Sequence, residues 1–294
     1  MERLCEGSGG GRAAMSRCEI RRVHASDGRP LAFRHWQSSD CQGIVLATHG
    51  IQSHSGWYEY SSERLANAGF EVYFADRRGS GLNGRGRGHA EHGMQLIHDL
   101  RALRRIAVAE HASHTPLHLL GLSWGAKIAA ATAAMFPDEC NSLTLLYPGL
   151  FPKLQPNWKQ SLQLRLARML EISRPHIPIP LDNPALFTSD REYQSFIADD
   201  PLALHTVSSS LINAGRDLDA VIREKIRKFN RPTMLMLAGN DQIVDNDTTK
   251  HWLSKQHLPQ LTVIEWPTAR HTLEFEPNRA EIFDQLIDWL PRAR

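Results

Sequence analysis

The stretch Leu119-Leu120-Gly121-Leu122-Ser123-Trp124-Gly125-Ala126-Lys127-Ile128-Ala129-Ala130 sets one serine between two glycines, where an apolar run gives way to alanines. The run ahead of it, Leu117 to Gly121, is continuous rather than alternating, as in a strand buried on both faces. The segment behind, Ala126 to Phe136, reads as a helix rich in small residues. Strand, turn and helix around G-x-S-x-G form the setting that holds a serine exposed on a strained bend. Side chains at Gly121 or Gly125 would collide with the neighbouring strand and helix. The helix N-terminus brings backbone N–H donors to any negative charge developing beside Ser123. The other reading is a serine that merely caps a helix, and the rest of the chain decides between the two.

On the N-terminal side, Cys18 to His24 and Leu31 to Trp36 are strand-like and flank the turn signal Ser26-Asp27-Gly28-Arg29-Pro30, which predicts an antiparallel hairpin. Gly43 to Thr48 is an apolar run without alternation, expected of a central strand. A helix from Trp57 to Ala68, a strand from Phe70 to Ala75 and a helix from His98 to His111 follow. On the C-terminal side come strands at Ser142 to Tyr147, Pro232 to Ala238 and Leu261 to Trp266, and a helix at Asn278 to Leu290. Strands alternating with helices predict an α/β fold with a mainly parallel sheet covered on both faces.

The alternation lapses between Pro148 and Arg231, a stretch far longer than the about 30 residues of a βαβ unit. It mixes a helix-like piece (Trp158 to Leu170), a proline-rich piece (Arg174 to Pro184) and further helical pieces ending in Asp217 to Phe229, which returns the chain to the sheet. The expected organisation is a disordered tail over 1–15, a core over 16–150, a cap inserted after the sixth strand over 151–213, and the rest of the core over 214–294. A subdomain with no role at the site is the alternative reading of 151–213.

Composition narrows the function classes. With 41% hydrophobic and 22% charged residues, the 294-residue chain can bury a large core. Its net charge of +2 gives no electrostatic footprint for nucleic acid, so no nucleic-acid partner is expected. Cys5, Cys18, Cys41 and Cys140 form no C-x-x-C pair, which argues against a disulfide scaffold or zinc knuckle and for a reducing compartment. The N-terminal MERLCEGSGGGRAAM lacks the apolar core of a secretory signal, and no apolar run approaches the about 18 residues of a membrane span. A soluble, cytoplasmic protein is the expectation; oligomeric state is open.

A serine hydroxyl needs a base, itself held by an acid, and in strand-turn-helix sites of this kind the chain order is Ser, Asp or Glu, His. His271 lies in the loop after the strand ending at Trp266; His251 and His257 fall in or beside a helix. Of Asp241, Asp245 and Asp247, Asp241 follows its strand most closely. The expected triad is Ser123, Asp241 and His271. An oxyanion hole needs two backbone N–H groups. Trp124, next to the serine, supplies one, and Ile51, in the turn Thr48-His49-Gly50-Ile51-Gln52, supplies the other. His49, directly after a buried strand, reads as a packed, hydrogen-bonded residue rather than a further base.

In combination, THGIQSHSGWY (48–58), GLSWG (121–125), GNDQIVD (239–245) and ARHTLEFE (269–276) resemble the α/β-hydrolase superfamily. Within it the resemblance is to the monoacylglycerol-lipase/lysophospholipase-like group, also called the serine aminopeptidase S33 type. Asp76-Arg77-Arg78-Gly79-Ser80-Gly81 is similar to the family's D-x-x-G-x-G loop, and Gly88-His89, His98-Asp99-Leu100 and Ala198-Asp199-Asp200-Pro201-Leu202 also fit. The resemblance implies an α/β-hydrolase fold with a helical cap. It also implies a cofactor-independent hydrolase of carboxylic esters, most akin to those acting on monoacylglycerol- or lysophospholipid-like lipids. Thioesterase, acyltransferase and aminopeptidase chemistry on the same triad, and a non-catalytic ligand-binding homologue, stay open. The chain departs from the family's G-H-S-M-G-G by having Leu122, Trp124 and Ala126, and Trp124 puts a large ring near the acyl site.

Arg77, Arg78, Arg85 and Arg87 make a basic loop that reads either as a solvated brace between loops or as a receptor for an anionic head group. His89-Ala90-Glu91-His92 lacks helical i,i+4 spacing, so no metal is expected there. No G-x-G-x-x-G follows a first strand, and no organic cofactor is expected. Leu154, Trp158, Leu162, Leu166 and Leu170 form a face at spacing of four. It reads as core packing or, alternatively, as an acyl tunnel or transient membrane-surface contact through the cap.

Overall fold

Strand β3 (Gly43–Thr48) is buried along its whole length, and so is β5 (Leu117–Leu122). Runs with no polar face can only be satisfied in the middle of a sheet covered on both sides. In the computed structural model, which describes residues 17–153 and 177–293, both lie at the centre of an eight-stranded sheet. With β1 (Cys18–His24), β2 (Pro30–Trp36), β4 (Phe70–Ala75), β6 (Ser142–Leu146), β9 (Thr233–Ala238) and β10 (Leu261–Trp266), the order is β1-β2-β4-β3-β5-β6-β9-β10. The pairs β1/β2 and β2/β4 are antiparallel and every other pair is parallel. This is the mainly parallel α/β sheet the alternation predicts, opening with the expected hairpin. The parallel strands end on one edge, at Thr48, Ala75, Leu122, Leu146, Ala238 and Trp266. Loops leaving that edge are where an open α/β sheet carries its sites.

The described helices are α1 (Glu59–Asn67), α2 (Gly93–Ala109), α3 (Gly125–Met135), α4 (Arg191–Ala198), α5 (Ser209–Lys225), α6 (Asn246–Ser254) and α7 (Arg279–Trp289). The alanines of α3 let it lie close to the sheet: a Cβ on Gly121 would come 2.5 Å from Ala126 Cα and 2.8 Å from Ala129 Cβ. Two helices begin earlier than the periodicity indicates. α2 starts at Gly93 rather than His98 because the His92 imidazole accepts the Gln95 N–H and caps it. α5 starts at Ser209 rather than Asp217 because Ser208 Oγ accepts the Leu211 N–H. The expected boundary at 213/214 therefore falls inside one continuous helix.

Of the expected cap, the piece Trp158 to Leu170 and the start of the proline-rich piece lie outside the described residues, as does the tail over 1–15. The remainder is a short antiparallel ribbon of β7 (Ile177–Pro178) and β8 (Thr206–Val207), with α4 between them. Among the described residues, no helix is long and apolar enough to cross a membrane.

Candidate active site

The bend after β5 is as tight as the glycines require. Ser123 has φ of +50°, a left-handed conformation rare outside glycine. Its N–H is tied to Leu146 O at 3.0 Å, and its own carbonyl accepts from Gly149 N–H at 2.8 Å and Ala126 N–H at 3.0 Å. A Cβ on Gly125 would sit 2.5 Å from Thr48 O and 2.7 Å from Thr48 C, so this turn and the end of β3 could not approach each other with any other residue there. These three hydrogen bonds and the close approach at Gly125 hold a strained serine with its side chain free to point off the sheet.

Two more loops of the same edge converge on it. His271 Nε2 lies 2.8 Å from Ser123 Oγ, and His271 Nδ1 lies 2.7 Å from Asp241 Oδ2. The other carboxylate oxygen of Asp241 accepts the N–H groups of Ile243 at 2.7 Å and Val244 at 3.0 Å, which fixes its plane. Burial would raise the Asp241 carboxyl, but the His271 ring and these N–H donors outweigh it and hold the group below the usual carboxylate range. With Asp241 acting only as acceptor, Nδ1 carries the ring proton and Nε2 can accept from the serine. Tyr147 packs edge-on to the imidazole with centroids 4.8 Å apart, and Phe187 packs on it at 5.9 Å. Asp245 is elsewhere: partly buried, it caps α6 by accepting the Thr248 N–H at 2.9 Å.

The turn after β3 lies against the serine, where a Cβ on Gly50 would stand 3.3 Å from Ser123 Cβ and 3.6 Å from its Oγ. Among the described residues, neither the Ile51 nor the Trp124 amide is bonded to another backbone group. His49 is fully buried: Nδ1 donates to Gly50 O at 2.8 Å and Nε2 accepts the Arg77 N–H at 2.9 Å. Burial and the Arg77 charge push its imidazole down to about 3, so it is a neutral packing element.

The basic loop is solvated in part, with Arg85 and Arg87 exposed. Arg77 and Arg78 are both buried. Arg77 donates to Gly50 O at 3.0 Å and Ile51 O at 2.9 Å, bracing the turn from beneath. Its guanidinium also lies over the Trp124 ring, 4.9 Å from the centroid. That ring rests on α5, since a Cβ on Gly215 would be 3.2 Å from Trp124 Nε1. The indole is thus held between Arg77 and Gly215, a placement its chemistry does not announce. Arg78 is consumed by Asp99 and Asp27. Arg87 donates to the Leu202 and Ala203 carbonyls, between α4 and β8. His89 hydrogen-bonds Ser208 Oγ at 3.0 Å.

Several contributors were not singled out from the sequence. Asp76 receives the Ser55 N–H and the Leu82 N–H, each at 2.8 Å, joining the Arg77 loop to the Gly50 turn. Asp200, just after α4, receives Trp57 Nε1 at 2.6 Å and His54 Nε2 at 3.0 Å. The signals for both lie in the D-x-x-G-x-G and ADDPL phrases, which mark position but not partner. Between these loops a narrow cleft opens onto Ser123, lined by Ile51, Trp57, Leu181 and Phe187 among others.

A family model described as serine aminopeptidase, S33, matches residues 39–278. A monoacylglycerol lipase of Mycolicibacterium smegmatis is 24% identical over 263 residues, spanning 86% of this chain and 89% of its own length. A solved soluble variant of monoglyceride lipase from Saccharomyces cerevisiae, in complex with a substrate analogue, superposes with a TM-score of 0.82. It is 20% identical and is covered over 97% of its chain and 96% of this one. The structure of Paleococcus ferrophilus monoacylglycerol lipase gives 0.78 at 21% identity, over 94% of this chain and all of that one.

Proposed function

We propose that this chain, which belongs to the serine aminopeptidase S33 family and has the α/β-hydrolase fold, hydrolyses carboxylic esters of monoacylglycerol-like or lysophospholipid-like lipids. The observation that carries the reading is the unbroken line from Asp241 through His271 to Ser123, with separations of 2.7 and 2.8 Å. In it, Ser123 Oγ attacks the ester carbonyl carbon while its proton passes to His271 Nε2. Asp241 keeps the imidazole in the right tautomer and stabilises the imidazolium. The carbonyl oxygen, now an alkoxide, is received by the Ile51 and Trp124 amides. Collapse breaks the C–O bond and His271 returns the proton to the leaving alcohol. Water, deprotonated by His271, then releases the acid and regenerates Ser123.

Support for an apolar acyl chain comes from the cleft's lining of Ile51, Trp57, Leu181 and Phe187. Support for ester over amide comes from the lipase named among the relatives. The test pairs a fluorophosphonate probe with a panel of acyl esters varied in chain length and head group. The wild type should be labelled, and Ser123→Ala should not. Ser123→Ala and His271→Ala should each lose about 10,000-fold or more in turnover. Folded wild type that resists the probe would overturn the reading, as would full activity in His271→Ala.

A further inference from the structure

We propose that Cys41, Glu71 and His111 form a zinc-binding site at the amino-terminal edge of the sheet, at the end opposite Ser123. Cys41 precedes β3, Glu71 is the second residue of β4, and His111 follows α2. Three separate segments meet there, so no local spacing in the sequence announces them. One ligand atom from each lies within 4.8 Å of the others.

The tautomers favour a cation. His111 Nδ1 is 2.8 Å from Ala107 O, a pure acceptor, so Nδ1 carries the proton. In the neutral ring, Nε2 then turns a lone pair toward Glu71 Oε2 at 3.2 Å. A proton or a metal ion has to lie between them. Zn–N and Zn–O bonds of about 2.0–2.2 Å at a tetrahedral angle give an N···O edge of about 3.3 Å, close to the separation found. A thiolate, a carboxylate and a neutral imidazole suit zinc and balance its charge, leaving the fourth position for water.

The outer contacts fit as well. Arg21 donates to His35 Nδ1 at 3.0 Å, so His35 Nε2–H donates to Glu71 Oε2 at 2.7 Å. A donor behind a ligating carboxylate is the usual second layer of a metal site. His35 is further fixed by stacking on Tyr73 with centroids 4.2 Å apart. The His111 and Glu71 side chains are 10% and 14% exposed, enclosed yet within reach of a solvated ion. On binding, the Cys41 S–H proton leaves to solvent and the sulfur takes the metal. The ion would clasp the loop before β3, the start of β4 and the end of α2. Ser123 lies at the far end of the sheet, so the clasp is structural.

The experiment uses the full chain, stripped with chelator and titrated with Co²⁺, then with Zn²⁺. One Co²⁺ per chain should bind, with a thiolate-to-cobalt charge-transfer band. Cys41→Ser and Cys41→Ala should abolish the band, and His111→Ala should weaken binding at least tenfold. Ser123→Ala should titrate as the wild type. Zn²⁺ should raise the Tm of the wild type and not that of Cys41→Ser, with metal-free melts showing that each variant folds. Absence of the band, its survival in the Cys41 variants, or undiminished affinity in His111→Ala would overturn the site. Glu71 would then simply hold the two rings through its carboxylate oxygen.

Discussion

At the scale of single residues, Arg77 separates a side chain that holds the site from one that meets substrate. Its guanidinium reaches two carbonyls at once, those of Gly50 and Ile51, a fork that a lysine cannot reproduce. Arg77→Lys should lower kcat about 10- to 100-fold by letting the Ile51 amide drift. KM should change little, and fluorophosphonate labelling should slow in step with kcat. The two aspartates after β9 make a second contrast. Asp241 is buried against His271, whereas Asp245 is only partly buried and caps a helix. Asp241→Asn should cost about 10,000-fold in turnover by offering the ring an alternative tautomer. Asp245→Ala should cost about 1 kcal/mol of stability, read by chemical denaturation, with turnover unchanged.

At the scale of elements, the segment between β6 and β9 is sewn to the loops around Ser123 rather than laid over them. Leu204 N–H reaches Gln52 O at 2.9 Å, Thr272 N–H reaches Phe187 O at 2.9 Å, and Asp200 takes both His54 and Trp57. Burial would raise the Asp200 carboxyl, yet these two donors hold it below the ordinary range, which makes it a charged anchor. Asp200→Ala should cost about 1–3 kcal/mol at that anchor. Limited proteolysis within 177–208 should then run about tenfold faster. This is also where sequence reading reached its limit. Strands were legible because apolar runs and turn residues are local, and Ser123, Asp241 and His271 because each follows a strand end. The start of α2 was hidden because a histidine, not a serine or aspartate, caps it. The burial of Arg77 and Arg78 was hidden too, since the sequence shows charge and not the carbonyls and carboxylates that satisfy it.

At the scale of the whole molecule, the same convergence of loops buries an acid that the proposed chemistry does not use. Glu274, three residues beyond His271, is 1% exposed, and burial pushes its carboxyl up to about 7 although it accepts the Ser61 N–H. The folded chain keeps this proton up to about pH 7, whereas the unfolded chain releases it near the ordinary glutamate value of about 4.3. The stabilising contribution is complete below the unfolded value and is lost as pH rises to the folded one, at about 1.4 kcal/mol per unit. His49 acts in the opposite sense. Held down to about 3 by burial, it refuses a proton that the unfolded chain accepts below about 6.5, so its share of stability drains away on acidification. Across the window the two share, they offset each other, and the wild-type profile alone would hide both. Subtraction exposes the first: Glu274→Gln keeps an acceptor for Ser61 and removes the titration. Denaturant melts of the two proteins from pH 4.5 to 8 should show the variant gaining on the wild type by about 3 kcal/mol, all of it below about pH 7.5. A difference that stays flat across that range would mean that Glu274 ionises in the folded chain as it does in the unfolded one, and that the loops around His271 admit more water than their packing implies.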